Sequence, residues 1–370
     1  MKFTCLQENL AKGLNTVYKA VPTKSALPIL SNILLSAEEG RLKLSATNLE
    51  TSITTYVGAS VQEEGAASVP AKLLREFITT LPPSTVSAEL KNDILHISSE
   101  KTKSKFNCAE ASEYPELPTM PKDAKYIEID PKVFAHDVSI VGFAAATDDS
   151  RPLFTGIYVT YSEGKLILAA TDGFRLSEKT LQVKGGANEF SAIIPAKTLV
   201  EVAKLFAAYT EPIKIVLNEA ENLVLFEGED TLIATRIIDG QYPDYKRIIP
   251  TVSKMTAEFL ASELLEAVRL TSIFSKEDSG AIKIKFDQDG TVYILTTIKQ
   301  VGEHESKFAA QIEGEVAEIA FNSKYLLDLL NNVKAERMVF IANTNLTPCI
   351  IKPIDTEDFM HIIMPMQIQD

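Results

Sequence analysis

Apolar and polar residues alternate in short bursts along this chain, among them RLKLSAT (41–47) and VYILTT (292–297), and such period-two runs mark strands with one buried face. Between the bursts the apolar spacing lengthens to three and four. Leu199, Val202, Ala203 and Phe206 fall on one helical face, as do Leu264, Leu265, Val268 and Phe274. The pattern predicts helices over about 7–19, 71–80, 131–144, 196–209, 261–274 and 322–334. Pro131 suits a first helical turn and Asn322 an N-cap.

The bursts repeat. GRLKLSATNLETSITT (40–55) lies over GKLILAATDGFRLSEK (164–179) at an offset of 124 residues, and GTVYILTTIKQVGEHE (290–305) is a weaker copy 126 further on. Ahead of each stand ALPILSNILL (26–35), RPLFTGIYV (151–159) and SGAIKIKF (279–286). After each comes a strand-to-helix join: SVPAKLLREFI (68–78), IIPAKTLVEVA (193–203) and IAFNSKYLLDLL (319–330). Three features in one order at one spacing predict three tandem domains, 1–122, 123–252 and 253–370, since the period is too long for a solenoid unit. Within each, a strand, a helix and three strands occur twice. The fold class expected is α+β: antiparallel sheets with two helices per domain on one face.

Composition narrows the class. The chain has 370 residues and a formal net charge of −13, which argues against bulk attraction to polyanions but not against a local basic surface. Cys5, Cys108 and Cys349 are odd in number and far apart, as expected of reduced thiols in a cytoplasm. No signal-peptide core opens the chain, and runs such as 140–146 are too short to span a bilayer, so a soluble cytoplasmic protein is expected.

Catalytic constellations are absent from the pattern. There is no phosphate loop, no G-x-G-x-x-G, no H-E-x-x-H and no G-x-S-x-G. His96, His136, His304 and His361 are scattered, and the S-x-x-K copies at 98–101 and 162–165 sit at strand ends without partner motifs. The acid pairs Glu38-Glu39, Glu63-Glu64 and Asp148-Asp149 lie beside turn residues and read as solvated loops. Asp172-Gly173 is a turn signal in its own right. No enzyme, metal or cofactor is expected.

Charge is unevenly placed. The six predicted helices hold ten basic residues against seven acids, a balance of +3 over 78 residues, so the other 292 carry −16. Ordinary solvated helix faces accommodate that excess. It also fits helices that face a polyanion on an acidic body, bound through phosphates without sequence readout.

Together, the threefold repeat, ALPILSNILL, ATDGFRL, GQYPDYKRIIP and the ending MPMQI resemble the bacterial DNA polymerase III β sliding clamps over the whole chain. The resemblance implies three DNA-clamp domains and a head-to-tail homodimer, a ring of pseudo-sixfold symmetry that slides on duplex DNA and tethers polymerase. Helix dimensions agree: six helices at ~9.5 Å spacing leave a hole of roughly 8 Å, and twelve leave roughly 26 Å, against a duplex about 20 Å wide. One chain is too small to encircle DNA; two suffice.

The resemblance carries residues over. Lys24, Lys72, Arg75, Lys197 and Lys324 become the expected DNA-facing cations. A groove for short peptides of the replicative polymerase, the clamp loader, translesion polymerases and mismatch-repair proteins maps to Phe154, Thr171, Gly173, Arg175, Leu176, Pro243, Arg247, Ile248, Asn322, Tyr325 and Pro348. The tail Ile362, Ile363, Met364, Pro365 and Met366 completes it, with Arg175 and Arg247 as polar anchors at the rim. The dimer contact is expected as edge-to-edge strand pairing with an apolar plug of Phe106, Ile273 and Phe274, oriented by Lys103 and Lys105 against Glu303 and Glu305. Gln367 stands where the family often has Arg, Gln369-Asp370 extend the ending, and the third-domain hairpin lacks the Asp-Gly turn.

Overall fold

The computed structural model describes residues 1–38, 40–275, 280–298 and 302–367, and the added ending Gln369-Asp370 lies outside them. The first repeat runs β1 (Lys2–Leu6), α1 (Gln7–Val17), β2 (Asn32–Glu38), β3 (Arg41–Thr47), β4 (Thr51–Gly58), β5 (Ser60–Glu63), β6 (Gly65–Pro70), α2 (Ala71–Thr80), β7 (Thr85–Lys91), β8 (Ile94–Ser99) and β9 (Thr102–Asn107). The second is β10 (Ile127–Ile129), α3 (Pro131–Gly142), β11 (Gly156–Ser162), β12 (Lys165–Thr171), β13 (Arg175–Gln182), β14 (Lys184–Gly185), β15 (Phe190–Pro195), α4 (Ala196–Phe206), β16 (Ile213–Asn218), β17 (Leu223–Gly228) and β18 (Thr231–Arg236). The third is β19 (Met255–Leu260), α5 (Ala261–Ser275), β20 (Ala281–Phe286), β21 (Thr291–Ile298), β22 (Gly302–Ala309), β23 (Gln311–Gly314), β24 (Glu318–Asn322), α6 (Ser323–Asn332), β25 (Arg337–Ala342), β26 (Cys349–Pro353) and β27 (Phe359–Ile363). Element for element the three repeats match.

All six predicted helices are present, with ends shifted by a few residues. The first stops at Val17 because the chain tightens into a 3₁₀ turn over Tyr18–Ala20. Asn322 caps α6, its side-chain oxygen accepting from Lys324 N at 2.9 Å.

By their contacts the three repeats group into two compact units. One holds Met1–Lys132, Lys184–Ala187 and Glu201–Ile237; the other holds Val133–Val183, Asn188–Val200 and Ile238–Asp370. The reason is strand pairing across repeats. In the first unit a five-stranded sheet runs β5-β1-β7-β8-β9, and a nine-stranded sheet runs β14-β10-β16-β17-β18-β4-β3-β2-β6. In the second a nine-stranded sheet runs β15-β11-β12-β13-β27-β26-β25-β19-β23, and a four-stranded one runs β22-β21-β20-β24.

Each nine-stranded sheet is two half-sheets joined antiparallel. In the first unit β18 pairs with β4, from Thr231 opposite Thr55 to Thr235 opposite Thr51. Hydroxyls reinforce the seam, Thr55 to Thr231 at 2.8 Å and Thr51 to Thr235 at 3.3 Å. In the second β27 pairs with β13, from Phe359 opposite Lys179 to Ile363 opposite Arg175. Here Ser177 Oγ meets His361 Nδ1 at 2.7 Å, and Lys179 Nζ pairs with Asp358 Oδ2 at 2.6 Å.

Apolar helix faces sit on these sheets. In the first unit Leu10, Leu14 and Val17 of α1 and Leu74 and Ile78 of α2 are buried. A Cβ on Gly13 would stand 2.6 Å from Leu44 Cδ1 and 2.7 Å from Val57 Cγ2, so glycine lets α1 lie directly on β3 and β4. In the second unit Leu264 and Val268 of α5 and Leu326, Leu329 and Leu330 of α6 close over Ile282, Ile284 and Phe321. No helix among the described residues is long and apolar enough to cross a membrane.

His361 is fully buried at the β13·β27 seam, and burial followed by the nearby Arg175 cation pushes its pKa down to about 3. The unfolded chain takes up this proton near pH 6.5 and the folded chain does not. Stability from the neutral ring is therefore complete above pH 6.5 and is lost as pH falls. We expect the unfolding free energy from urea titrations to fall between pH 6.5 and 5 with a slope approaching about 1.4 kcal/mol per pH unit. His361→Gln should flatten that slope; an equal slope in the variant would assign the loss to other groups.

Candidate peptide groove and nucleic-acid interface

The Asp-Gly tip between β12 and β13 is locked by its own side chains. Asp172 Oδ1 accepts from Phe174 N at 2.9 Å and Arg175 N at 3.1 Å. Thr171 Oγ1 accepts from Gly173 N at 3.0 Å and donates to Arg175 O at 2.5 Å. Gly173 takes φ +93°, open to glycine at little cost. The turn presents Phe174 outward, 54% exposed, with its ring stacked on Tyr325 of α6 at 6.4 Å and 16°. The chain's end runs alongside. Met364 N donates to Phe174 O at 2.8 Å, and Met366 N donates to Ala320 O at 2.8 Å.

Beneath this surface lies one apolar cluster. Leu176 and Ile362 pack with Ala169, Ile193, Tyr242 and Tyr245, and half-buried Leu153, Phe154 and Ile249 lean on them. Tyr242 stacks flat on Tyr158 at 4.8 Å and 3°. The expected groove residues therefore divide by depth. Leu176, Ile362 and Ile363 are fully buried; the first two form a floor, and strand alternation turns Ile363 to the Arg175 face of the sheet. Phe154, Tyr325, Pro348, Met364, Pro365 and Met366 are half-buried, and Pro243, Arg247 and Ile248 are exposed. Thr171 and Asn322 have local duties, one bracing the hairpin tip and the other capping α6.

Arg175 is not the rim anchor expected of it. It is 6% exposed, and its guanidinium is held inside: Nε on Asp172 Oδ2 at 3.0 Å, Nη1 on Asp328 Oδ2 at 2.6 Å and Nη2 on the Phe143 carbonyl at 2.9 Å. The tight turn folds the side chain back under the hairpin toward two carboxylates. Arg247 does lie at the surface, paired with Asp244 at 2.8 Å. Sequence reasoning missed Phe174, which stands inside the quoted ATDGFRL motif. An apolar residue in a polar turn was the available signal.

Lys72, Lys197 and Lys324 are exposed and occupy the second residue of α2, α4 and α6. None of these helices has an acid in its first turn. A cation there adds to the positive end of the helix dipole rather than offsetting it, and the combination attracts an anion. Lys24 is exposed as well. Arg75 is half-buried, its guanidinium lying 4.0 Å over the Tyr18 ring.

The charged residues expected at the interface lie at two sheet edges. β9 is the last strand of its sheet and displays Lys103 and Lys105, while β22 ends its own sheet and displays Glu303 and Glu305. Ile273 on α5 is 62% exposed, and half-buried Phe274 stacks on His304 at 5.0 Å. Phe106 departs from expectation. Strand alternation turns it opposite to the two lysines, and it is 4% exposed, packed edge-on against Phe77 at 5.4 Å. Among the described residues no group of His, Cys, Asp and Glu is placed to hold a metal ion.

Three family models match in succession: the N-terminal, central and C-terminal domains of the DNA polymerase III beta subunit, over residues 1–118, 128–244 and 246–367. The chain belongs to this family. A beta sliding clamp of Synechococcus elongatus is 28% identical over 375 residues and one of Bacillus subtilis 27% over 379, with 99–100% of each chain covered. The solved Bacillus subtilis clamp superposes with a TM-score of 0.95 at 26% identity over 100% of both chains. A Pseudomonas aeruginosa clamp solved bound to griselimycin gives 0.94 at 26% identity, again over 100% of both. As a member of the family the chain is a processivity factor of a DNA polymerase and is non-catalytic.

The Asp-Gly tip tolerates little change. A Cβ at position 173 would lie 2.6 Å from Arg151 Nη1 on a backbone that disfavours side chains. Gly173→Ala is expected to destabilise the fold by about 1 kcal/mol, seen as a lower urea midpoint at unchanged m-value.

Proposed function

We propose that two copies of this chain close head to tail around duplex DNA and slide on it. In this reading the groove tethers the replicative polymerase, the clamp loader, translesion polymerases and mismatch-repair proteins, and the work is done in the cytoplasm. The observation that carries the reading is the unfinished strand pairing. The last strand of the second repeat, β18, pairs with β4, and the last strand of the third, β27, pairs with β13. By the same rule the last strand of the first repeat, β9, calls for β22, which holds the third repeat's position equivalent to β4 and β13. Both are edge strands. A second copy supplies each with its partner, by strand addition.

Antiparallel pairing, as at the two internal seams, sets Lys103 against Glu305 and Lys105 against Glu303. Isolated lysines on an edge strand usually discourage pairing; opposite a strand of glutamates they select one partner. Exposed Ile273 supplies apolar surface beside β22. Phe106 contributes from below the surface by packing under its strand.

DNA contact in this reading is weak and unspecific. Lys24, Lys72, Lys197 and Lys324 meet phosphates, and Arg75 adds a cation beside Tyr18. A topological link removes the need for tight binding, so water-softened phosphate contacts leave the ring free to move.

Two measurements test this. Lys103→Glu with Lys105→Glu should weaken the dimer at least tenfold, since like charges face each other across strands, and the chain should sediment near 40.6 kDa rather than twice that. Adding Glu303→Lys with Glu305→Lys should restore it; a dimer indifferent to both sets places the contact elsewhere. Loaded on nicked circular DNA, the protein should survive gel filtration and fall off once the circle is cut. Equal loss from intact circles would mean a peptide-binding scaffold that never encloses DNA.

A further inference from the structure

We propose that Arg175 is a positioning residue of the peptide groove: it touches no ligand and sets ligand affinity by clamping the hairpin tip to α6. This rests on the reading of that surface as a groove. The guanidinium is almost wholly buried and bridges two carboxylates from distant parts of the chain, Asp172 beneath the tip and Asp328 on α6. A third bond, to the Phe143 carbonyl, fixes it beyond the end of α3.

The same cation lies 4.8 Å from the Tyr325 ring centroid and 5.5 Å from that of Phe143. Tyr325 in turn backs exposed Phe174. The order is therefore Phe143, Arg175, Tyr325, Phe174, with only the last ring largely offered to solvent. Each contact constrains the next. The planar fork sets Asp328 and so the rotation of α6, α6 sets Tyr325, and Tyr325 sets the plane of Phe174.

The backbone carries the same clamp to the other wall. Arg175 pairs with Ile363, and Phe174 O holds Met364 N. A side chain below the floor thus fixes the tip, the helix and the methionine tail against each other. Removing it would leave Asp172 and Asp328 without their shared cation and release α6 from the tip. The consequence for binding is reciprocal. A ligand that needs Phe174 and Met364 in register gains affinity from the clamp, and its binding tightens the clamp by the same factor.

The test uses griselimycin as probe and calorimetric Kd as readout on the full-length protein. Met364→Ala reports on the groove itself. Asp328→Asn, which alters only the clamp, is expected to weaken griselimycin about tenfold, the usual scale for a lost charge-assisted hydrogen bond. Arg175→Gln should weaken it further, and Arg175→Lys should recover part of the loss because the charge remains without the fork. The sequence contains no tryptophan, so Phe174→Trp provides a lone fluorophore at the wall. In that background, without ligand, Arg175→Gln and Asp328→Asn should both red-shift the emission, which loss of global stability alone would not do in a folded sample.

Unchanged affinity and emission in Asp328→Asn, with binding abolished in Arg175→Gln, would make Arg175 a direct contact and overturn the proposal. Unchanged affinity in Met364→Ala would instead overturn the groove reading, and the emission shift would still decide the role of Arg175. If Arg175→Gln does not fold, Asp328→Asn and Arg175→Lys carry the same test.

Discussion

A sheet edge leaves a row of N–H and C=O groups without partners, and the architecture of this chain is organised around supplying them. Three similar repeats each bring one strand that ends a half-sheet and one that begins another. Two of the three possible seams close within the chain, β18 on β4 and β27 on β13. They are closed differently: a ladder of threonine hydroxyls in one unit, and a buried serine–histidine contact with a lysine–aspartate pair in the other. Backbone pairing is common to both, and side chains make each specific.

Much of this was legible in the sequence because it is local. Helix faces, strand alternation, the Asp-Gly turn and the Asn322 cap are written within a few neighbouring residues, and the repeat spacing multiplies that signal by three. The seams were not legible as compact units. Ser177 and His361 lie 184 positions apart, and nothing within either strand announces its partner. Each nine-stranded sheet therefore joins strands of neighbouring repeats, which repeat spacing alone does not show.

Side-chain depth was the other gap. Motif positions gave no indication that Arg175, Leu176, Ile362 and Ile363 all sit under the surface. For Arg175 the reason is geometric, since a two-carboxylate cradle is assembled from a turn and a helix more than 150 residues apart. For Phe106 it is the strand period, which fixes a side once the lysines beside it are known to face solvent. That inference was available from HISSEKTKSKF and needs only one exposed neighbour as anchor.

The pairing of unlike edges has a cost in assembly. A contact between two different surfaces of the same chain is not self-limiting: it closes when successive rotations add to a full turn and otherwise propagates as an open fibre. In the dimer proposed above, where β9 meets β22 rather than another β9, angular fidelity at the two internal seams decides between these outcomes. A substitution deep in the threonine ladder, remote from either edge, would then express itself as filaments.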